Sequence, residues 1–128
     1  MDAYLQSRKA NHGFAFSTSI ATGGTTSTLL TVSTEQSLVH KIHVQRIRVV
    51  VITASAGKTW TIQDNNASPV IATPALDMGT AGVEFVYDFG PTGFSFTAGK
   101  NMTLTISAAG AAGVVIVEGY QEQTHTAV

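Results

Sequence analysis

The sequence predicts an all-β protein, a jelly-roll-like antiparallel β-sandwich of about eight strands. Three observations carry this. Short segments rich in Val, Ile, Thr and Phe alternate apolar with polar residues, the period-two pattern of a half-buried strand. Turn-forming residues fall between them, at Gly23-Gly24, Asp64-Asn65-Asn66, Gly90-Pro91, Gly99-Lys100-Asn101 and Gly110. No window combines helical periodicity with a capping residue. A chain of 128 residues fits one domain, 1–128, with a core large enough to need no staples. Residues 1–12 read as an N-terminal arm and 122–128 as a C-terminal tail.

The first strand is expected at residues 14–20, where Phe14, Phe16, Thr18 and Ile20 share one face. Further strands are expected at Thr26–Ser33, Leu38–Thr53, Lys58–Gln63, Val83–Phe89, Phe94–Thr97, Met102–Ser107 and Val114–Gln121. The third is long, and its phase slips. Ile42 and Val44 share a face, but Ile47, Val49 and Val51 are one residue out of step. A β-bulge near Gln45-Arg46 restores a common inward direction; a crossing from one sheet to the other is the alternative. The run Val49 to Ile52 is apolar on both faces, so its second side needs a cover. A neighbouring subunit or a loop of the same chain would serve.

In YDFGPTGFSFTAGKNMTLTIS, residues 87–107, Gly90-Pro91-Thr92-Gly93 and Gly99-Lys100-Asn101 read as tight turns between consecutive hairpin strands. Gly57-Lys58 reads as another hairpin turn. Ala56-Gly57-Lys58-Thr59 is not a phosphate-binding loop. Ile52 stands where its first glycine belongs, and a strand follows where a helix is required. Asp88-Phe89-Gly90 spells a kinase magnesium motif without the other kinase parts.

Catalytic, cofactor and metal sites are not expected. His40 and His43 are three apart on a strand and point to opposite faces, so one ion cannot easily take both. Glu84 and Asp88 share a face but lie about 13 Å apart at about 3.3 Å per residue, too far for a glycosidase pair. Glu35, Asp64, Asp77 and Glu118 complete the carboxylates away from the ends, and all read as solvated. Trp60, Tyr87 and Tyr120 could line a sugar platform, but Trp60 shares a face with Ile62 and reads as core.

Composition narrows the function classes. Net charge is −1, which argues against binding driven by phosphate neutralisation. The chain has no cysteine, which excludes disulfides and thiolate chemistry. No apolar run reaches the length of a membrane span, and the start, MDAYLQSRKANHG, lacks a signal-peptide core. Charged residues are only 12% of the chain, so much of the surface is Thr, Ser, Ala and Gly. Such a skin gives up little hydration on contact, which fits extensive protein–protein contact, with a neutral solvated surface as the alternative.

WTIQDNN, a Pro-containing loop, YDFGPTGFSFTAGKNMTLTISAAGAAG and a final VVIVEGYQ together resemble small β-sandwich structural proteins of tailed bacteriophages, above all capsid decoration (cement) proteins. The resemblance spans about residues 38–121. It implies a jelly-roll-like homotrimer on the virion's capsid surface, assembled in the host cytoplasm. The partner would be the major capsid protein, and the work would be clamping adjacent capsid subunits. No enzymatic activity, nucleic acid or membrane is implied. The alternative is a trimeric receptor- or carbohydrate-binding head of a phage tail fibre, using the Asp64-Asn65-Asn66 loop and loop aromatics.

Overall fold

The computed structural model describes residues 11–23, 26–35 and 38–124. Among them are nine strands: β1 (Asn11–Ile20), β2 (Ser27–Leu30), β3 (His40–Thr53), β4 (Thr59–Asp64), β5 (Leu76–Asp77), β6 (Glu84–Asp88), β7 (Phe94–Ser95), β8 (Met102–Ile106) and β9 (Ala112–Gln123). One sheet runs β1-β9-β3-β6, with β7 also paired to β3; the other runs β2-β8-β4-β5. The antiparallel pairs β1–β9, β2–β8, β3–β6 and β4–β5 nest inside one another. Pairing of β9 with β3 and of β8 with β4 then closes each sheet. That is one long hairpin wrapped into two layers: a jelly roll, with β7 a small addition.

The two inner faces make the core. Ile42, Val44, Ile47, Val49 and Val51 of β3, with Val115 and Val117 of β9, meet Trp60, Ile62, Leu76, Met102 and Leu104 of the other sheet, all buried. Phe14, Phe16 and Ile20 of β1 pack against the same cluster. Trp60 is therefore core, with Ile62, although its Nε1–H finds no acceptor among the described residues.

The bulge in β3 is where the phase slip requires it. Val44 lies opposite Gly119 and Arg46 opposite Glu118, leaving Gln45 as the extra residue. The strand stays in one sheet throughout. The bulge also divides the far edge of β3, since β6 pairs with Arg46–Val50 and β7 with His43 and Val44. The intervening turn is tied to it: the Phe89 N–H donates to Gln45 O at 2.8 Å, and Gln45 Nε2 donates to Pro91 O at 2.6 Å. Gly119 is required opposite the bulge, because a Cβ there would run into His43 O and the Phe14 ring.

The structure corrects three expectations. The segment from β6 to β9 is not a series of hairpins: β6, β8 and β9 alternate between sheets, and β7 pairs with distant β3. The turns at Gly99-Lys100-Asn101 and Gly110 link layers, Gly90–Gly93 joins two strands that both pair with β3, and turn chemistry alone does not say which strand is the partner. For the same reason Gly57-Lys58 is a turn but no hairpin. Lys58 N–H bonds Ser55 O at 3.3 Å around Gly57, at φ 76°, and carries the chain from β3 in one sheet to β4 in the other. The third difference is β5, two residues long and too short to display alternation. At the ends, β1 already includes Asn11 and His12 and β9 runs to Gln123; residues 1–10 and 125–128 lie outside the described residues.

Candidate functional surface

The outer face of the β1-β9-β3-β6 sheet is read from its register. One cross-strand row is Ala15–Glu118–Arg46–Asp88. The next is Ser17–Ile116–Arg48–Val86, and the third is Ser19–Val114–Val50–Glu84. The face is thus striped by strand: carboxylates on β6, guanidinium groups on β3, a carboxylate and two aliphatics on β9, and small residues on β1. Arg46, Arg48, Ile116 and Glu118 line a shallow cleft of about 170 Å³.

Apolar groups on this side stay open to solvent. Val86 is 47% exposed and Ile52, at the end of the VVVI run, 59%. The second side of that run therefore has no cover within the described chain. Arg48 Nε donates to Glu84 Oε1 at 2.7 Å. That hydrogen bond holds the Glu84 carboxyl below its ordinary range against slight desolvation, with the charges of Arg48 and Arg46 adding to it. The same bond to Glu84 raises Arg48.

Farther along the face, His43 joins three strands. Its Nδ1 lies 2.7 Å from Ser95 Oγ of β7, and its Nε2 lies 3.2 Å from Glu122 Oε1 of β9. Its ring stacks on Tyr120 at 4.6 Å between centroids, and Tyr120 OH donates to Thr92 O at 2.8 Å. In the tautomer protonated on Nε2, the ring donates to Glu122 and accepts from Ser95. Ser–His–Glu is the connectivity of a hydrolytic triad. The N–H after the serine, however, belongs to Phe96 and is bonded to Ile42 O at 3.0 Å, so it cannot stabilise an oxyanion. The group ties β3, β7 and β9 together. No spacing in the linear pattern signals it, because β3–β7 pairing depends on the bulge.

The remaining sequence candidates scatter. His40 is buried with the inward set of β3 while His43 points outward, as alternation requires. Among the described residues no three His, Cys, Asp or Glu side chains gather as metal ligands. Tyr87 stacks on Phe89 within the core margin, Trp60 is inside, and Tyr120 is outside, so the three aromatics form no platform. Glu84 and Asp88 are exposed, and Asp88 Oδ1 accepts the Gly90 N–H at 2.9 Å to close a turn.

The Asp64-Asn65-Asn66 loop is consumed by architecture, and Asp64 is not the solvated carboxylate expected. It is completely buried. Its Oδ1 accepts the N–H groups of Val70 at 3.0 Å and Asn66 at 3.2 Å, and its Oδ2 that of Thr97 at 2.9 Å. Burial pushes its pKa up, but the bonds from Thr97, Val70 and Asn66 outweigh that and hold it below the usual value. Asn65 exchanges two bonds with Asn101, and Asn101 Oδ1 accepts the Val32 N–H at 2.9 Å.

No family model matches the sequence, and no curated protein does either. Among solved structures, the virus-like particle of the extra small virus of the giant freshwater prawn Macrobrachium rosenbergii aligns at 12% identity. The alignment covers 90% of this chain and 81% of that one, with a TM-score of 0.41.

Proposed function

We propose that this chain is a structural protein of a virion, a phage capsid decoration protein that binds copies of itself and the major capsid protein. Its work is to clamp adjacent capsid subunits, without catalytic turnover. One observation carries the reading: the broad outer face of the β1-β9-β3-β6 sheet. Its open Val86 and Ile52 lie beside half-buried Val50, Val114 and Ile116. Its charges, Glu84, Asp88, Arg46, Arg48 and Glu118, are of both signs, so contact costs little hydration where a partner pairs them. Apolar area covered there contributes about 25 cal/mol per Å² before the costs of association. Each bound copy favours the intact shell by mass action. Three-fold grouping on the capsid, as the sequence resemblance implies, belongs to the same proposal.

The tail-fibre reading put glycan contacts on Asp64-Asn65-Asn66. The Asp64 carboxylate is spent inside the fold, and no other observation favours that reading. The test is co-sedimentation of the purified chain with empty, undecorated tailed-phage capsids, followed by thermal disruption of the shells. The proposal expects saturable binding and a higher disruption temperature. Absence of binding, combined with binding in a glycan screen, would overturn it in favour of the rival.

A further inference from the structure

The stripes on the outer face have a property that the capsid-binding proposal does not use. Read across the sheet, β6 carries Glu84 and Asp88, β3 Arg46 and Arg48, β9 Glu118, and β1 only Ala15, Ser17 and Ser19. The order is negative, positive, negative, neutral and small. Consider a two-fold axis lying in the contact plane, parallel to the strands and midway between β3 and β9. It turns a second copy face to face with the first and exchanges the strands, β3 over β9 and β6 over β1. Height along the strand is unchanged, so each cross-strand row meets itself reversed.

The two outer rows then fit themselves, while in the middle row Arg48, bonded to its own Glu84, lays its aliphatic stem against the partner's Ile116. Arg46 meets the partner's Glu118, and Glu118 meets the partner's Arg46. Val50 meets the partner's Val114 in the apolar row. Val86, which stands 47% exposed on β6, meets the partner's Ser17, where a small side chain leaves room. Moving the axis onto β3 or β9 would oppose like charges, so the position is specific. An isologous contact requires this kind of self-complementarity.

We propose that this face is a contact between two copies of this chain, related by that axis. The contact covers the same face that capsid binding would use, so one copy cannot make both at once, and it forms in the purified protein without any capsid. Four strands about 4.8 Å apart, sharing rows over five residues at β6 to ten at β1 at about 3.3 Å each, give about 500 Å² per copy. Both copies together bury about 1,000 Å², the lower range of specific interfaces, so the contact is reversible.

The test uses two charge-reversal variants, Arg46→Glu and Glu118→Arg, followed by sedimentation velocity. Each variant alone opposes like charges twice, and its self-association is weakened about tenfold or more. Mixed, they complement each other at both positions, because the Glu at 46 of one copy faces the Arg at 118 of the other. The remaining wild-type Arg46 and Glu118 also face each other. The mixture is therefore expected to regain association that neither variant shows. Pairing within one chain cannot produce that result, since neither variant repairs its own charges.

Because the chain has no cysteine, a second measurement is available. Ser17→Cys and Val86→Cys copies, mixed under mild oxidation, are expected to form a disulfide between unlike copies faster than either variant links to itself. Variants that self-associate like the wild type, a folded mixture that stays apart, or equal like and unlike cross-linking would each overturn the contact. Capsid binding plays no part in these readouts, so they stand or fall apart from the decoration proposal.

Discussion

Replacing Asp64 should do more damage than replacing any other charged residue in the described chain. The carboxylate is fully buried and accepts three backbone N–H groups, from Asn66, Val70 and Thr97, at 2.9–3.2 Å. A hydrogen bond to a charged group contributes about 1.5–3 kcal/mol net. The Asn66 bond is local and its donor can rehydrate, so the three do not add in full. We expect Asp64→Ala to cost about 3–5 kcal/mol, and Asp64→Asn, which keeps one acceptor oxygen, about 1.5–3 kcal/mol. Either is a large share of the roughly 5–15 kcal/mol that holds a domain of this size folded. Urea unfolding followed by the fluorescence of the single, buried Trp60 reads the loss.

The pH dependence has a definite sign. The Asp64 pKa is lowered in the folded state, so its contribution is complete above the unfolded carboxyl value of about 3.9 and is lost as pH falls through the folded value. The wild type and Asp64→Asn should therefore differ fully at neutral pH and converge in acid. A loss below about 1 kcal/mol for Asp64→Ala at neutral pH would refute the reasoning, since it would mean that the three donors find water as good a partner.

Other substitutions separate packing from the ties at His43. Leu104→Ala removes a fully buried side chain between the sheets and should cost about 3–5 kcal/mol in the same unfolding assay, with a cavity left behind. Gly119→Ala drives a Cβ against His43 O and the Phe14 ring and should cost about 2–3 kcal/mol, the bulge having no slack. Tyr120→Phe gives up the bond to Thr92 O but keeps the stack on His43, and should cost about 1 kcal/mol or less.

Much of the fold was legible because it rests on alternation. The phase slip between Val44 and Ile47 located the bulge, and Trp60 with Ile62 fell on one face as periodicity demanded. Strand partners were not legible. A turn such as Gly90–Gly93 fixes local backbone, while the pairing of β7 with β3 depends on which inward faces must meet across the whole roll. Asp64 was misread for a related reason. A carboxylate beside two asparagines looks solvated in sequence, and only the return of Val70 and Thr97 around it reveals a buried anchor. The proposed contact face was half visible. The VVVI run asked for a cover, but the placement of Arg46 and Arg48 between the carboxylates of β6 and Glu118 of β9 required the bulge-corrected register.

The central claim is that this jelly roll works by adhering to protein surfaces, beginning with its own. Sedimentation equilibrium of the purified chain over a wide concentration range tests that most directly. The account predicts a mass that rises with concentration to a multiple of 13.4 kDa. A single species of 13.4 kDa at every concentration would contradict it.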